Sequence, residues 1–164
     1  VQCMGTLDDA VDNVDQSAHG VSVRFADGRT EVADLLIDAA GIWSPIAAAL
    51  IDGGATDRGY GGVVALSDPV ASRLDGMAGD RRYWFYMRTQ SANAAAPTHA
   101  EVLGRSASWP AGIGEAIAAT PPERLIPFAI HAKPPPDRLG DRRILCVGDA
   151  AHAMEPNLGQ GACQ

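Results

Sequence analysis

The amino-terminal residues alternate between apolar and polar side chains with the period of two that β-strands require. Val11–Val14 is a weak strand signal, and Gly20–Phe25 (GVSVRF) is a clear one. Asp27-Gly28 is typical of a hairpin turn, after which Thr30–Val32 returns along the preceding strand. The pattern predicts a β-meander. It leaves open a helix over Gly5–Asp15, where apolar residues also recur on one helical face.

Two later apolar runs are predicted to be buried strands because they are too short for helices. Leu35–Ile37 leads into a turn and then an alanine-rich helix over Pro45–Leu50, with Ser44 as its cap and a proline at its first position. Ile144–Val147 ends at Gly148-Asp149, a turn residue followed by a carboxylate. This order of strand, turn and helix is typical of an open α/β sheet, whose ligands bind at the carboxyl edge of the strands.

The segment from residue 52 to residue 142 has a different pattern. Its four strand-like runs are Gly61–Leu66, Arg82–Arg88, His99–Leu103 and Ile126–Ile130. One amphipathic run, Ile113–Ala119, is predicted to be a helix. Several strands with a single helix indicate a separate β-rich lobe. We therefore expect a protein of mixed α/β and α+β class, with residues 1–51 and 143–164 in one domain and residues 52–142 inserted between them.

The residues best suited to bind a ligand lie in the stretch 148–162 (GDAAHAMEPNLGQGA). An ionised Asp149 only accepts hydrogen bonds, so it suits the hydroxyls of a polyol or a ribose. Pro156-Asn157 breaks the chain before a glycine-rich helix start, where Asn157 is the expected N-cap and free backbone N–H groups favour an electron-rich ligand. Gly159 and Gly161 have no Cβ, so a flat ring can approach the backbone. A flavin on its ribityl chain satisfies both halves of such a site.

Composition narrows the possible partners. The chain has 46% hydrophobic and 20% charged residues, as in globular proteins, and its net charge of −7 without a basic cluster argues against nucleic acid and anionic membranes. The most apolar window, Leu35–Ile51, contains Asp38, Ser44 and Pro45, so no membrane span is predicted. The three cysteines, Cys3, Cys146 and Cys163, form no CxxC pair. We expect reduced thiols and a cytoplasmic location; the oligomeric state is not indicated.

The stretch 148–162 resembles the second flavin-binding motif of the FAD-dependent aromatic hydroxylases, the single-component flavoprotein monooxygenases. The matching positions are Gly148, Asp149, Ala150, Ala151, His152, Pro156, Gly159, Gln160, Gly161 and Ala162. The resemblance implies a partial Rossmann-like FAD-binding domain with an inserted β-sheet substrate lobe. The family's GxGxxG unit, which binds the ADP half of FAD, does not occur in this sequence. The chain is therefore expected to be a fragment that binds FAD poorly and is inactive alone.

The resemblance assigns a role to each part of the motif. Asp149 is expected to hold the ribityl chain, Pro156 to lie beside the flavin ring, and the glycine-rich turn to face the pyrimidine edge of that ring. The expected cofactor-binding residues are Gly41, Gly148, Asp149, Pro156, Leu158, Gly159, Gln160, Gly161 and Ala162.

Ala33–Ser44 is similar to another internal signature of the same family, in which a strand ends in Gly-Ala-Asp-Gly and a Ser precedes an Arg by three positions. The sequence departs from that signature at three positions, since Asp38 replaces the first Gly, Ala40 the Asp and Ala47 the Arg. The family ties that Asp and Arg to the pyrophosphate region of the cofactor and to nicotinamide-cofactor use. Gly41 remains, and either a cofactor role or a simple turn fits it.

The activity implied by the resemblance is that of an FAD-dependent monooxygenase, which uses NAD(P)H and O₂ to hydroxylate or epoxidise a small, electron-rich, often aromatic substrate. A flavin oxidoreductase without oxygen transfer and a truncated, non-catalytic relative remain alternatives. No side chain is assigned as a catalytic acid or base. No metal site is predicted either, because Asp149, His152 and Glu155 are a weak set of ligands.

The inserted lobe contains an aromatic stripe formed by Tyr83, Trp84, Tyr86 and Met87. In the family this lobe provides the sheet that roofs the flavin ring. Alternating aromatic residues belong to ordinary strand packing more often than to a substrate-binding wall. Both interpretations of the stripe stay open.

Overall fold

The computed structural model describes residues 10–51, 54–70, 81–91, 94–159 and 161. The chain divides into two compact units, of which the first comprises Val1–Thr56 with His131–Gln164 and the second Asp57–Ile130. Both contain helices and strands, so the predicted mixture of helix and sheet is confirmed. Among the described residues no helix is long and apolar enough to span a bilayer.

The meander predicted at the start of the first unit is present. Strands β1 (Val11–Gln16), β2 (Val21–Phe25) and β3 (Thr30–Ala33) form an antiparallel sheet in that order. Gly28 has a φ of +89°, which a glycine adopts without strain, and closes the hairpin between β2 and β3. The alternative helix over Gly5–Asp15 is wrong for the described part of that range, because pairing with β2 satisfies the backbone of β1.

The second sheet of the first unit joins segments that are distant in sequence. Strand β4 (Leu36–Asp38) pairs in parallel with β9 (Ile144–Cys146), which pairs on its other side with β8 (Gly140–Asp141). Helix α1 (Pro45–Leu50) follows β4. Ser44 caps α1 as predicted, since its hydroxyl accepts a hydrogen bond from the N–H of Ala47.

Small side chains fill the space where this sheet meets its helices. The buried cluster consists of Ala47, Ile51, Cys146, Ala150 and Ala151, with Leu50 packed against it. The last two belong to α4 (Asp149–His152), a single helical turn that follows β9. Because alanine is the largest side chain that α4 contributes to the cluster, the turn can approach β9 closely.

The second unit is a sheet covered on one side by helices. Strand β5 (Thr56–Leu66) lies between β6 (Tyr83–Thr89) and β7 (Ile126–Ala132). The first residue of β5, Thr56, and the last two of β7, His131 and Ala132, are counted with the first unit. The helices are α2 (His99–Arg105) and α3 (Ala111–Ala118). Strands at the positions of β5, β6 and β7 and a helix at α3 were predicted, and all four are confirmed.

The predicted strand at His99–Leu103 is wrong, because these residues form α2. Thr98 caps the helix, with its hydroxyl accepting the N–H of Glu101, and Arg105 lies in its last turn. The sequence Thr98-His99-Ala100-Glu101 has the spacing of a capping box, a helix-start signal that outweighs the strand propensity of the valine that follows.

The aromatic stripe of β6 is divided between two faces, because successive side chains of a strand point to opposite sides. Tyr86 is buried with Val63, Val102 and Ile117, and Trp84 packs against that cluster. The opposite face of β6 carries Tyr83 and Met87, together with Phe85, which was not part of the predicted stripe. Tyr83 is 60% and Phe85 58% exposed. The expectation of one continuous stripe is therefore wrong. Trp84 and Tyr86 are core residues.

Arg143, just before β9, joins distant segments of the first unit. Its guanidinium donates to the carbonyl oxygens of Ser17, Ala18 and Asp34, at 3.3, 2.6 and 2.8 Å. Its backbone N–H donates to the side-chain oxygen of Gln16 at 2.9 Å. Arg143 therefore fixes the meander to the start of β9.

Replacing Arg143 with methionine is expected to lower the free energy of unfolding by about 1–2 kcal/mol, since three hydrogen bonds from a charged donor are lost at a partly solvated position. Urea denaturation of the natural protein that contains this chain measures the change. Arg142→Met is the matched control, because Arg142 contacts only the neighbouring Asp141 among the described residues. Equal stability of the two variants would contradict the account.

Candidate functional site

The parallel pairing of β4 with β9 determines where the two predicted motifs lie. Asp38 is in register with Cys146, and the N–H of Val147 donates to the carbonyl oxygen of Asp38 at 2.9 Å. The turns that follow the two strands therefore leave the sheet at the same edge. This is the carboxyl edge, where ligands bind in open α/β sheets.

The turn after β4 is held by the carboxylate of Asp38, which is 3% exposed. This carboxylate accepts hydrogen bonds from the hydroxyl of Ser44 at 2.5 Å and from the N–H of Ala40 at 3.0 Å. Gly41 lies inside the turn with a φ of +82°, and its carbonyl accepts the N–H of Ser44. Asp38 is thus directed into the protein, where it organises the turn and is shielded from any ligand.

The thiol of Cys146 is buried beside this carboxylate. Burial, the charge of Asp38 and a hydrogen bond to that carboxylate together raise the pKa of Cys146 to about 11, with the charge of Lys133 acting in the opposite direction. The thiol is therefore protonated at neutral pH and unreactive. Cys3 and Cys163 lie outside the described residues.

The turn after β9 exposes a carboxylate at the edge of the sheet. Gly148 has φ +56° and ψ −140°, a conformation that favours glycine, and its carbonyl accepts the N–H groups of Ala151 and His152. Asp149 is exposed, and among the described residues no group donates a hydrogen bond to its side chain. The carboxylate is consequently available to a ligand with hydroxyl groups.

The chain after α4 forms a short 3-10 turn at Pro156–Leu158, and Gly159 follows in the left-handed conformation with φ +64°. Asn157 lies inside this turn, and its side-chain amide donates to the carboxylate of Glu155 at 3.2 Å. Its role as the N-cap of a helix that begins at Leu158 stays a prediction, because most of that helix lies outside the described residues. Of Leu158 only the backbone is described, and Gln160 and Ala162 lie outside the described residues.

An open cleft of about 400 Å³ lies at this part of the first unit, and its lining residues are Asp149, Met154, Pro156, Gly159 and Gly161. Four of them were predicted to bind the cofactor, and Met154 was not. Gly41 and Gly148 shape the neighbouring turns and are not part of the lining. The lining of the cleft includes a free carboxylate, glycine backbone and a thioether, which suits a ligand with hydroxyls and a flat ring.

A second cleft in the same unit, of about 470 Å³, contains none of the predicted residues. It lies between β1 and α1, where Asp12 and Asp15 face it. Because Asp12 is already paired with Arg24 at 2.8 Å, the acidic wall of this cleft is partly neutralised. The smaller cleft, by contrast, is lined by the free carboxylate of Asp149 and by the glycines Gly159 and Gly161.

His152 is the remaining titratable residue of α4. Its Nδ1 atom is buried, and within the described parts of the chain it has no hydrogen-bond partner. The described residues also contain no group of three His, Cys, Asp or Glu side chains arranged to hold a metal ion. Sequence reasoning offered His152 as a structural hydrogen-bonding residue, and that role stays a prediction.

Comparisons with known proteins match this chain to a domain family and to longer relatives. Residues 74–163 match the FAD-binding domain family. The aurachin C monooxygenase/isomerase of Stigmatella aurantiaca is 34% identical over 88% of this chain and 43% of its own length. The chloroplastic zeaxanthin epoxidase of Oryza sativa subsp. japonica is 29% identical over 93% of this chain and 26% of its own.

Two solved structures have the same fold as this chain. HpxO of Klebsiella pneumoniae, crystallised with FAD and uric acid, superposes with a TM-score of 0.78 at 26% identity, covering 94% of this chain and 46% of that protein. A salicylate hydroxylase substrate complex has the same fold, with a TM-score of 0.67 at 22% identity. This chain spans less than half the length of these proteins.

The fold is of mixed helix and sheet, and the family match identifies it as an FAD-binding domain. The match covers more than half of the 164 residues, and the chain belongs to the FAD-binding domain family. The resemblance found in the sequence is confirmed. The residues of the cleft suit this cofactor, since the exposed carboxylate of Asp149 and the backbone at Gly159 face the same space.

The thiol of Cys146 should make the stability of the protein depend on pH in the alkaline range. Its folded pKa of about 11 exceeds the ordinary 9.0, so the folded state binds this proton more tightly than the unfolded state. The stabilisation is complete below pH 9 and is lost as the pH rises to about 11, amounting to about 2–3 kcal/mol. Urea denaturation at a series of pH values across this range measures the loss.

In the Cys146→Ala variant the unfolding free energy should fall less steeply with pH than in the natural protein. Val21→Ala is the control, because it removes buried apolar volume from the same unit without removing a titratable group. Parallel pH curves for the natural protein and Cys146→Ala would show that the thiol is not responsible.

Proposed function

We propose that this chain is part of an FAD-dependent monooxygenase that hydroxylates or epoxidises a small, electron-rich organic molecule with NAD(P)H and O₂. The observation that supports this most strongly is the cleft at the end of β9, which brings Asp149, Pro156, Gly159 and Gly161 together in one family-matched segment. The relatives described above are named as a monooxygenase and an epoxidase, although they are more than twice as long as this chain.

In this proposal the exposed carboxylate of Asp149 accepts hydrogen bonds from the ribityl hydroxyls of FAD. Pro156 and the backbone at Gly159 and Gly161 provide the surface for the flat ring, because neither glycine has a Cβ in the way. The remaining members of the proposed cofactor site are Gly41, Gly148, Leu158, Gln160 and Ala162. When bound, FAD supplies the redox and oxygen-transfer chemistry. The protein binds and orients it, and no side chain is proposed as a catalytic acid or base.

NAD(P)H is the proposed reductant, by analogy with the family alone. Two positions that the family ties to the pyrophosphate region and to nicotinamide-cofactor use are Ala40 and Ala47 in this chain. Asp38 does not replace the missing carboxylate, because its oxygens are occupied by Ser44 and Ala40. These departures favour a second candidate, a flavin-binding relative without monooxygenase turnover. Reduction by NAD(P)H followed by product analysis distinguishes the two.

We further propose that the exposed face of the second unit's sheet receives the organic substrate. Tyr83, Phe85 and Met87 of β6 are on this face, and Leu66 of β5 is in register with Tyr83. Exposed apolar side chains that are contiguous on one face mark a binding surface more often than isolated ones do. An uncharged aromatic surface suits an apolar or aromatic substrate.

Replacing Asp149 with asparagine is expected to weaken FAD binding by about tenfold or more, because the charged acceptor of the ribityl hydroxyls is lost. The dissociation constant is measured by quenching of flavin fluorescence in the natural protein and in the variant. Asp12→Asn is the control, since it removes an equal charge from β1 of the same unit. An unchanged dissociation constant for Asp149→Asn would refute the proposed cofactor site.

Replacing Phe85 with alanine is expected to raise KM about tenfold for an organic substrate identified by NAD(P)H oxidation with a panel of phenols, while FAD affinity is unchanged. The loss of aromatic contact area is the reason. Leu103→Ala is the control, because it removes partly exposed apolar area from α2, the helix that packs on the opposite face of the sheet. If KM is the same in both variants, this face does not bind the substrate.

A further inference from the structure

Lys133 is the only lysine among the 164 residues of this chain. It follows β7 in the first unit and is partly buried. Its ammonium donates a hydrogen bond to the carbonyl oxygen of Ala150 at 2.9 Å, and its backbone N–H donates to the carbonyl oxygen of Ala153 at 2.8 Å. Lys133 therefore contacts α4 and the residue that follows it through two separate hydrogen bonds.

These two carbonyls need an external partner. Helix α4 is a single turn, in which the N–H groups of Ala151 and His152 both return to Gly148. The carbonyls toward the end of such a helix have no partner within it. Ala150 is 0% and Ala153 3% exposed. A backbone carbonyl in such surroundings is costly to leave unpaired, and Lys133 supplies the missing donors.

The positive charge of Lys133 also influences a buried side chain at the carboxyl edge of the sheet. The charge of Lys133 lowers the pKa of the Cys146 thiol at the end of β9, and the charge of Asp38 raises it. Asp38 holds the turn after β4, and Lys133 holds the turn after β9. Both turns of the site are thus fixed from inside by a charged side chain.

We propose that Lys133 is a positioning residue for the cofactor, because its hydrogen bond to Ala150 fixes the turn that presents the carboxylate of Asp149. The inference rests on the proposed role of Asp149 in binding FAD. Asp149 directly precedes Ala150 in the single turn of α4, so a change in the direction of the Ala150 carbonyl changes the backbone of the turn that carries the carboxylate. Without the ammonium, the Ala150 carbonyl would turn toward water and Asp149 would leave the geometry that a ribityl chain requires.

The test compares FAD dissociation constants, by fluorescence quenching, for the natural protein and for Lys133→Met, Lys133→Arg, Asp149→Asn and Arg138→Met. Arg138→Met is the matched control, because Arg138 is an exposed cation of the same unit that donates to a single carbonyl, that of Leu50. We expect Lys133→Met to weaken FAD binding about tenfold, Lys133→Arg to recover most of the affinity, and Arg138→Met to leave it unchanged.

Hydrogen exchange of the peptide 149–153 provides a second measurement. A local change in this turn speeds exchange in this peptide alone, whereas a general loss of stability speeds exchange in peptides throughout the unit. Its amides should exchange faster in Lys133→Met than in Arg138→Met, while peptides from β2 exchange equally. If Lys133→Met does not fold, Lys133→Gln replaces it, with the same expected loss of affinity.

The outcomes separate the two proposals. If Asp149→Asn weakens FAD binding and the neutral Lys133 variant does not, Lys133 has no positioning role. If Lys133→Arg binds as weakly as the neutral variant, a cation at this position is not what fixes the turn, and the inference is also refuted. If Asp149→Asn itself binds FAD normally, the proposed cofactor site is wrong and the inference falls with it.

Discussion

The candidate site depends on the parallel pairing of β4 with β9, two short strands that are separated in sequence by the whole second unit. Parallel strands place their carboxyl ends at one edge of a sheet, so this pairing alone brings the Gly41 turn and the Asp149 turn to the same edge. Three residues pair on each strand, which is little backbone bonding for such a distant connection. Side chains must therefore stabilise the edge, and the buried carboxylate of Asp38 and the guanidinium of Arg143 do so from its two ends.

Both turns are built in the same way, with a glycine at positive φ and a charged side chain that hydrogen-bonds to the turn. Gly41 lies in the turn that the carboxylate of Asp38 holds, and Gly148 begins the turn that Lys133 holds. The charged groups of Asp38 and Lys133 bind within the protein, so the surface offered to a ligand consists of glycine backbone, the side chains of Met154 and Pro156, and one free carboxylate. This arrangement suits a large cofactor that is bound along its length and contacts the backbone closely. It also explains why Asp38 does not act as a substitute for a carboxylate at Ala40.

Local sequence patterns predicted most of the strands, the capped helix after β4 and the cleft residues around Asp149, because alternation, capping and turn chemistry are short-range properties. The strand predicted at His99–Leu103 was wrong because the capping box that begins at Thr98 was overlooked. The contributions of Met154 and Lys133 were missed for a different reason. Both depend on contacts made only after distant segments pack together, and the single lysine of the chain was the one available signal.

The central claim is that the natural protein containing this chain holds a flavin at the cleft around Asp149. The most direct test is the visible absorption spectrum of the purified natural protein, followed by denaturation and mass spectrometry of the released chromophore. The account predicts a yellow protein that releases FAD, with a weaker flavin spectrum after the carboxylate is removed. A colourless natural protein whose flavin spectrum is not restored by added FAD would contradict the account.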